Sequence, residues 1–290
     1  EVTHFIGVQS DITVRKNAED AVREANRQLE IANSRMKNDL DAAARIQRSL
    51  LPEDAPQLEK VNFSWVFQPC DELAGDTLDI VALDERRCAV YTVDVSGHGV
   101  PAALLSVTLS HWFSRLFLGP GDASVSTEQD LPSYFSPAGV AEELNRQFQM
   151  NLENAQYFTM CYGVIDVSTR EFRYVTAGNP PVLVDRRTGP PEVLEVAGFP
   201  IGIVEQPKYT EQVIELNPRD RILLYTDGVV EAENADEKAF GVNGLMEEVM
   251  KNDRESLDGR VESIIESVRS WVGSRGFSDD VSILAFELSE

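Results

Sequence analysis

Lysine and arginine are scarce in this chain. Its 290 residues hold 26 of them against 49 Asp and Glu, a formal net charge of −23. Such a field disfavours nucleic acid and anionic membranes as partners. It also repels a phosphorylated substrate unless bound cations reverse its sign locally. Cysteine and histidine are few, three of each. Cys70, Cys88 and Cys161 are widely spaced and lie in apolar or strand-like contexts, which reads as reduced structural thiols of a cytosolic protein rather than a disulfide or redox set. No apolar run approaches the roughly 18 residues a membrane span needs, and nothing at the start reads as a signal peptide. A G-x-S-x-G elbow, a Cys–His nucleophile pattern and a P-loop are all lacking, so nucleophilic catalysis and nucleotide hydrolysis have no support.

What the chain does have is 42% hydrophobic residues, enough for a substantial core. Four Asp residues each read as ending an apolar run and being followed by small residues: Asp76 in ELAGDTLDI, Asp94 in AVYTVDVSGHGVPAAL, Asp227 in RILLYTDGVVEA and Asp279 in GFSDDVSILAFEL. An apolar run followed by Asp-Gly or Asp-x-Ser-Gly reads as a buried strand delivering a carboxylate to a mouth. Carboxylates converging on one place raise each other's pKa values unless a cation is present. Hard oxygen ligands favour Mg²⁺ or Mn²⁺ over zinc.

Three zones follow one another. Residues 1–14 are short and β-like, and Glu1, opening inside strand-like sequence, reads as the start of a piece cut from a longer chain. Residues 15–51 contain neither Gly nor Pro and carry apolar residues at seven-residue spacing: Val22, Leu29, Met36, Ala43 and Leu50. A second stripe runs Ala18, Ala25, Ala32 and Ile46, broken by Asp39. The pattern predicts the seam of a parallel coiled-coil homodimer, or one long amphipathic helix packed on its own domain, ended by Leu51-Pro52. Residues 52–290 mix VNFSWVFQ, CAVYTVDV, YFTMCYGVID, EFRYVTA, PVLVDRR, EVLEVA, RILLYT and VSILAFEL as strands with four helical stretches. These are VPAALLSVTLSHWFSRLF, PAGVAEELNRQFQMNLEN, GVNGLMEEVM and RVESIIESVRSWV. Strands in succession predict an α+β sandwich of largely antiparallel sheets rather than a doubly wound parallel fold. GPGDASVSTEQDLPS reads as a surface loop. His111 reads as a packing residue on an apolar helix face, and His98 as polar support or a proton donor beside the glycines.

RIQRSLLP (45–52), AGD (74–76), DVSGHGVPAAL (94–104), TAGNPP (176–181), FPIGI (199–203), TDGVVEAEN (226–234) and SDDVSIL (278–284) occur in one order. Together they resemble the PPM-type metal-dependent Ser/Thr phosphatases of the bacterial RsbU/SpoIIE branch, over residues 39–286. The resemblance implies a four-layer α-β-β-α sandwich with two Mn²⁺ or Mg²⁺ ions at one end and hydrolysis by a metal-activated water. It implies Asp94 bridging both ions, an oxygen from the Val95 carbonyl, and Asp227 and Asp279 holding the basal ion. Asp280 takes a supporting role, or the two exchange roles. Asp76 is implied as a direct or water-mediated ligand. Gly75, Gly97, Gly99 and Gly228 are either ordinary turn glycines or sites of close backbone approach. Two departures put turnover in question: Ala74 stands for the usual first Gly of Gly-Gly-Asp, and Asn179 for the usual His.

VTHFIGVQSDITVRKNAE resembles the last strand and exit helix of a PAS domain, with Gly7-Val8-Gln9 nearest the flavin-binding LOV subclass. This chain is expected to bind no flavin; the LOV resemblance, as against a generic PAS one, would place FMN in a full-length protein. The implied function is the output phosphatase of a PAS or LOV (blue-light) sensor, acting by family analogy on a phosphorylated STAS-type anti-sigma-factor antagonist. Two alternatives stay open: a pseudophosphatase that binds without turnover, and a dimeric signal-relay scaffold.

Overall fold

The computed structural model describes residues 3–4, 10–117, 136–150, 155–186, 189–195, 198–251 and 256–289. The loop expected at GPGDASVSTEQDLPS and the Gly7-Val8-Gln9 triplet lie outside them. The Gly- and Pro-free leader forms a single helix, α1 (Thr13–Arg48). Asp11 starts it by accepting from the Thr13 N–H at 2.9 Å, and it ends three residues ahead of Leu51-Pro52. From Ser10 to Asp39 every residue is exposed, and Val22, Leu29 and Met36 are 59–60% exposed.

The chain divides into two compact units, Glu1–Arg45 and Ile46–Glu290. The division falls six residues before the expected boundary at 51/52, because Gln47 belongs to the second unit. It is buried, and its side chain binds the Ala74 carbonyl (2.6 Å) and Ser106 Oγ (2.9 Å) while accepting from the Ala74 N–H (3.1 Å).

The second unit contains β1 (Val61–Gln68), β2 (Thr77–Ala82), β3 (Arg87–Val95), α2 (Val100–Phe117), α3 (Pro137–Gln147), β4 (Phe158–Asp166), β5 (Glu171–Ala177) and β6 (Val182–Asp185). It continues with β7 (Glu192–Leu194), β8 (Gln212–Glu215), β9 (Arg221–Tyr225), α4 (Asp227–Val230), α5 (Gly241–Lys251), α6 (Leu257–Val272) and β10 (Val281–Leu288). The strands form two five-stranded sheets, ordered β1-β10-β9-β6-β7 and β2-β3-β4-β5-β8, with every ladder antiparallel. This is the expected α+β sandwich.

Strand alternation explains the layers. In β3, Cys88 and Val90 face the other sheet and join Phe172, Leu224, Leu284 and Phe286 in a central core. Ala89, Tyr91 and Val93 of the same strand face outward under α2 and α3. In β9 and β10, Leu223, Tyr225, Ile283 and Ala285 face α5 and α6. Strands buried on both faces carry unbroken apolar runs, which is why CAVYTVDV and RILLYT are so conspicuous. Each large side chain buried contributes about 1.5–3 kcal/mol. Phe172 and Phe286 meet edge to face across the central core at 5.0 Å, and Tyr91 stacks on Phe113 of α2 at 3.9 Å.

Three elements were not expected: β2, β8 and the single turn α4. The second expected helix stops at Gln147, and the NLEN stretch expected at its end lies outside the described residues. His111 is exposed on α2 rather than packed. All three cysteines are free thiols, Cys88 and Cys161 buried and Cys70 half-buried. Among the described residues no helix is long and apolar enough to cross a membrane.

Candidate metal centre

Antiparallel pairing decides where the acidic segments meet. Thr77 at the start of β2 pairs with Val93 near the end of β3, so Asp76 enters beside the point where Asp94 and Val95 leave. In the other sheet Ile283 near the start of β10 pairs with Tyr225 at the end of β9, so Asp279 and Asp280 enter beside Thr226 and Asp227. Asp76 and Asp279 thus precede their strands rather than ending apolar runs as expected, because antiparallel pairing sets the start of one strand beside the end of its neighbour. Each sheet brings two acidic segments to one of its ends.

Hydrogen bonds between the sheets join the two ends. Asp76, 1% exposed, accepts at Oδ2 from the hydroxyls of Thr226 (2.8 Å) and Ser282 (2.6 Å). Asp280 accepts at Oδ1 from the Cys70 N–H (2.8 Å) and at Oδ2 from the Gly75 N–H (2.7 Å). Two glycines are required by this crossing. A Cβ on Gly75 would stand 2.8 Å from the Val95 carbonyl oxygen, and one on Gly228 would overlap the Asp280 carbonyl. Gly97 and Gly99 instead turn the chain into α2 at positive φ, +84° and +79°.

The charges at this end are mutually unfavourable. Burial, and then the charges of Asp227, Asp279, Asp280 and Glu231, push the Asp94 carboxyl up to about 8. Asp227 is pushed up to about 6 by burial and by Asp279 and Glu231. Burial also raises Asp279, against a bond from the Asp280 N–H and the nearby His98. Asp76 is raised well above the carboxylate range by burial, Asp94 and Asp280, against the lowering pull of its two hydroxyl donors. Among the described residues no Lys or Arg forms an ion pair with Asp76, Asp94, Asp227 or Asp279. Oxygen donors, crowded negative charge and no Lys or Arg counter-charge fit a hard divalent cation.

Every expected carboxylate is thus at one end of the sandwich, with Val95 beside Asp94. Asp280 has both oxygens engaged by backbone N–H groups. Ala74 is fully buried without a positive φ, so its methyl is accommodated. Asn179 donates to the Tyr225 carbonyl at 3.1 Å and so steadies the strand end that precedes Asp227. His98 is exposed, 3.8 Å from the Asp71 carboxylate. Two neighbours escaped the sequence reading. Glu231, at the end of α4, adds its charge to Asp94 and Asp227. Cys70 lies with Asp279 and Asp280 in a group whose ligand-type atoms are within 4.8 Å of one another, and its thiol is pushed up to about 12 by burial and these carboxylates. The EA of TDGVVEA was a signal for the first, while nothing local marks the second.

Residues 84–289 match the family model described as Stage II sporulation protein E (SpoIIE). The chain is 30% identical over 199 residues to the phosphoserine phosphatase RsbP of Bacillus subtilis, covering 67% of this chain and 46% of that protein. It is 25% identical over 236 residues to the phosphoserine phosphatase RsbU of the same organism, covering 80% of this chain and 65% of that protein. The chain therefore spans about half to two thirds of the length of these relatives. Among solved structures, the SiaA-PP2C domain of Pseudomonas aeruginosa superposes with a TM-score of 0.75 at 21% identity, covering 88% of this chain and 98% of that one. The PP2C phosphatase domain of SpoIIE from Bacillus subtilis, with a fragment of its regulatory domain, gives 0.65 at 15% identity, covering 80% and 64%.

Proposed function

This chain belongs to the SpoIIE family, and from that premise we propose that it is a metal-dependent protein serine/threonine phosphatase. The observation that carries the reading is the convergence of Asp94, Asp227 and Asp279 at one end of the sandwich with no Lys or Arg paired to them among the described residues. These three carboxylates and the Val95 carbonyl would hold two Mn²⁺ or Mg²⁺ ions. Such ions supply Lewis acidity and a nucleophilic water near neutral pH. Asp76 and Asp280 act behind them. Asp76 ties the entry of β2 to Thr226 and Ser282, and Asp280 holds the backbone of Cys70 and Gly75, so the outer carboxylates keep their spacing when a substrate arrives. A phosphoryl group carries the same sign as the protein, so cation binding by these residues is a precondition for substrate binding.

The substrate on this reading is a phosphorylated STAS-type anti-sigma-factor antagonist, and the chain is the output part of a PAS or LOV sensor. The exposed stripe Val22, Leu29 and Met36 supports a homodimer through α1, since an apolar seam at seven-residue spacing on a free helix is satisfied by a second copy.

The test is Mn²⁺-dependent hydrolysis of p-nitrophenyl phosphate and of a serine-phosphorylated STAS-domain protein. The wild type should turn over both, and Asp94→Asn and Asp227→Asn should each lose about 100-fold or more in kcat, about 3 kcal/mol of transition-state stabilisation. A folded, Mn²⁺-binding wild type that hydrolyses neither would overturn the reading in favour of a binding module.

A further inference from the structure

Large apolar side chains are exposed in the segments around Met150 and Ile201: Phe199 is 56% exposed, Ile203 43% and Met150 43%. Single exposed apolar residues are ordinary, but these three come from two segments pinned to one another. The Phe158 and Ile201 backbones exchange both hydrogen bonds (3.3 and 2.8 Å), the Met150 N–H donates to the Gly202 carbonyl (3.0 Å), and the Gly202 N–H donates to Asn145 Oδ1 (2.8 Å). A Cβ on Gly202 would stand 2.5 Å from the Phe148 carbonyl oxygen, so the backbone there is closely packed. Phe199 and Ile203 are thus presented by a fixed support.

Strand register sets their distance from the carboxylates. Asp94 pairs with Thr159 and Val95 with Phe158, while Phe158 bridges to Ile201 on its other side. Adjacent strands lie about 4.8 Å apart, so the Ile201 backbone is two spacings, about 10 Å, from Val95, the residue after Asp94. A standard protein–protein interface covers about 800 Å² on each partner, a disc of roughly 16 Å radius. A folded protein presenting a phosphoserine to Asp94 therefore also covers Phe199 and Ile203. A small aryl phosphate does not.

We propose that Phe199, Ile203 and Met150 form an apolar lip that docks the folded phosphoprotein substrate and sets preference for it over small phosphoesters. The proposal rests on the phosphatase reading. Aromatic residues and Met are enriched in interfaces and charged residues depleted at their centres. An apolar anchor also suits a chain of net charge −23, because its attraction does not depend on the partner's charge.

The test uses the full chain with Mn²⁺, comparing wild type with Phe199→Ala, Ile203→Ala and the double variant. The substrates are a serine-phosphorylated STAS-domain protein and p-nitrophenyl phosphate. For the double variant, KM for the phosphoprotein should rise about tenfold or more. Its kcat, and both constants for the small ester, should stay within about twofold. Unchanged KM for the phosphoprotein, or a parallel loss on both substrates, overturns the lip and leaves the phosphatase reading intact. A wild type active on the ester alone also counts against it. A wild type inert toward both sinks the underlying reading.

Discussion

Asp76 and Asp280 differ from Asp94, Asp227 and Asp279 in what protein donors do for them. Asp76 receives two hydroxyls and Asp280 two backbone N–H groups from another segment. Asp94 receives no hydrogen bond from a side chain among the described residues, and Asp279 only the N–H of its own neighbour at 2.8 Å. The inner pair joins the two sheets, whereas the outer three crowd one another, offset only by backbone N–H groups at Asp227 and Asp279 and by His98 near Asp279. Residues of one chemical type thus either tie the fold together or are left crowding one another, according to whether the fold supplies donors.

The widest separation should come from Asp94→Asn against Asp280→Ala. The first is expected to remove about 100-fold or more of turnover while leaving the urea midpoint unchanged or higher, since a repelled charge is lost. The second strands the Cys70 and Gly75 N–H groups and should destabilise by about 2 kcal/mol or more. Urea denaturation alongside steady-state kinetics reads both, and a stability loss in Asp94→Asn equal to that in Asp280→Ala would erase the distinction.

pH sharpens the same contrast. The carboxyl pKa is raised on folding from 3.8 to about 8 at Asp94 and to about 6 at Asp227. The folded state then binds more protons than the unfolded one between these values, so stability is fully present below about pH 4 and is lost as pH rises through 6 to 8. In EDTA the melting temperature should fall between pH 5 and pH 8, and Mn²⁺ should raise it most at pH 8. A flat profile in EDTA would show that the outer carboxylates do not repel as argued.

The smallest effect belongs to Ser282→Ala, which removes one of two hydroxyls from Asp76. About 1 kcal/mol of stability and less than about fivefold in turnover are expected by the same two assays. A loss as deep as that of Asp94→Asn would move Asp76 to the outer set.

Much of this was legible beforehand because both faces of the central strands are buried, which leaves runs such as CAVYTVDV and RILLYT with few alternatives. The strands that went unseen, β2 and β8, are the two edges of one sheet. TLDIVA and QVIE carry weak patterns of their own and become strands by pairing with β3 and β5. The turn α4 is too short to show any period. Gln47 illustrates a different limit. It sits in RIQRSLLP as one more polar residue of a polar helix, and only the approach of Ala74 and Ser106, distant in sequence, makes it a buried hydrogen-bonding centre.

By itself the sequence determined the sandwich class, the long leader helix with its apolar stripe, and which acidic residues gather at the strand ends, because periodicity and local chemistry are carried by neighbours along the chain. Tertiary structure alone decided which carboxylates are satisfied by Thr226, Ser282 and the Cys70 and Gly75 backbone, and which are left to crowd one another. It also decided that Ile201, between Phe199 and Ile203 in sequence, bridges to Phe158, the partner of Val95. Donors and distances across two sheets come from segments as far as 210 positions apart, and nothing in a local pattern encodes such a meeting before the chain has folded.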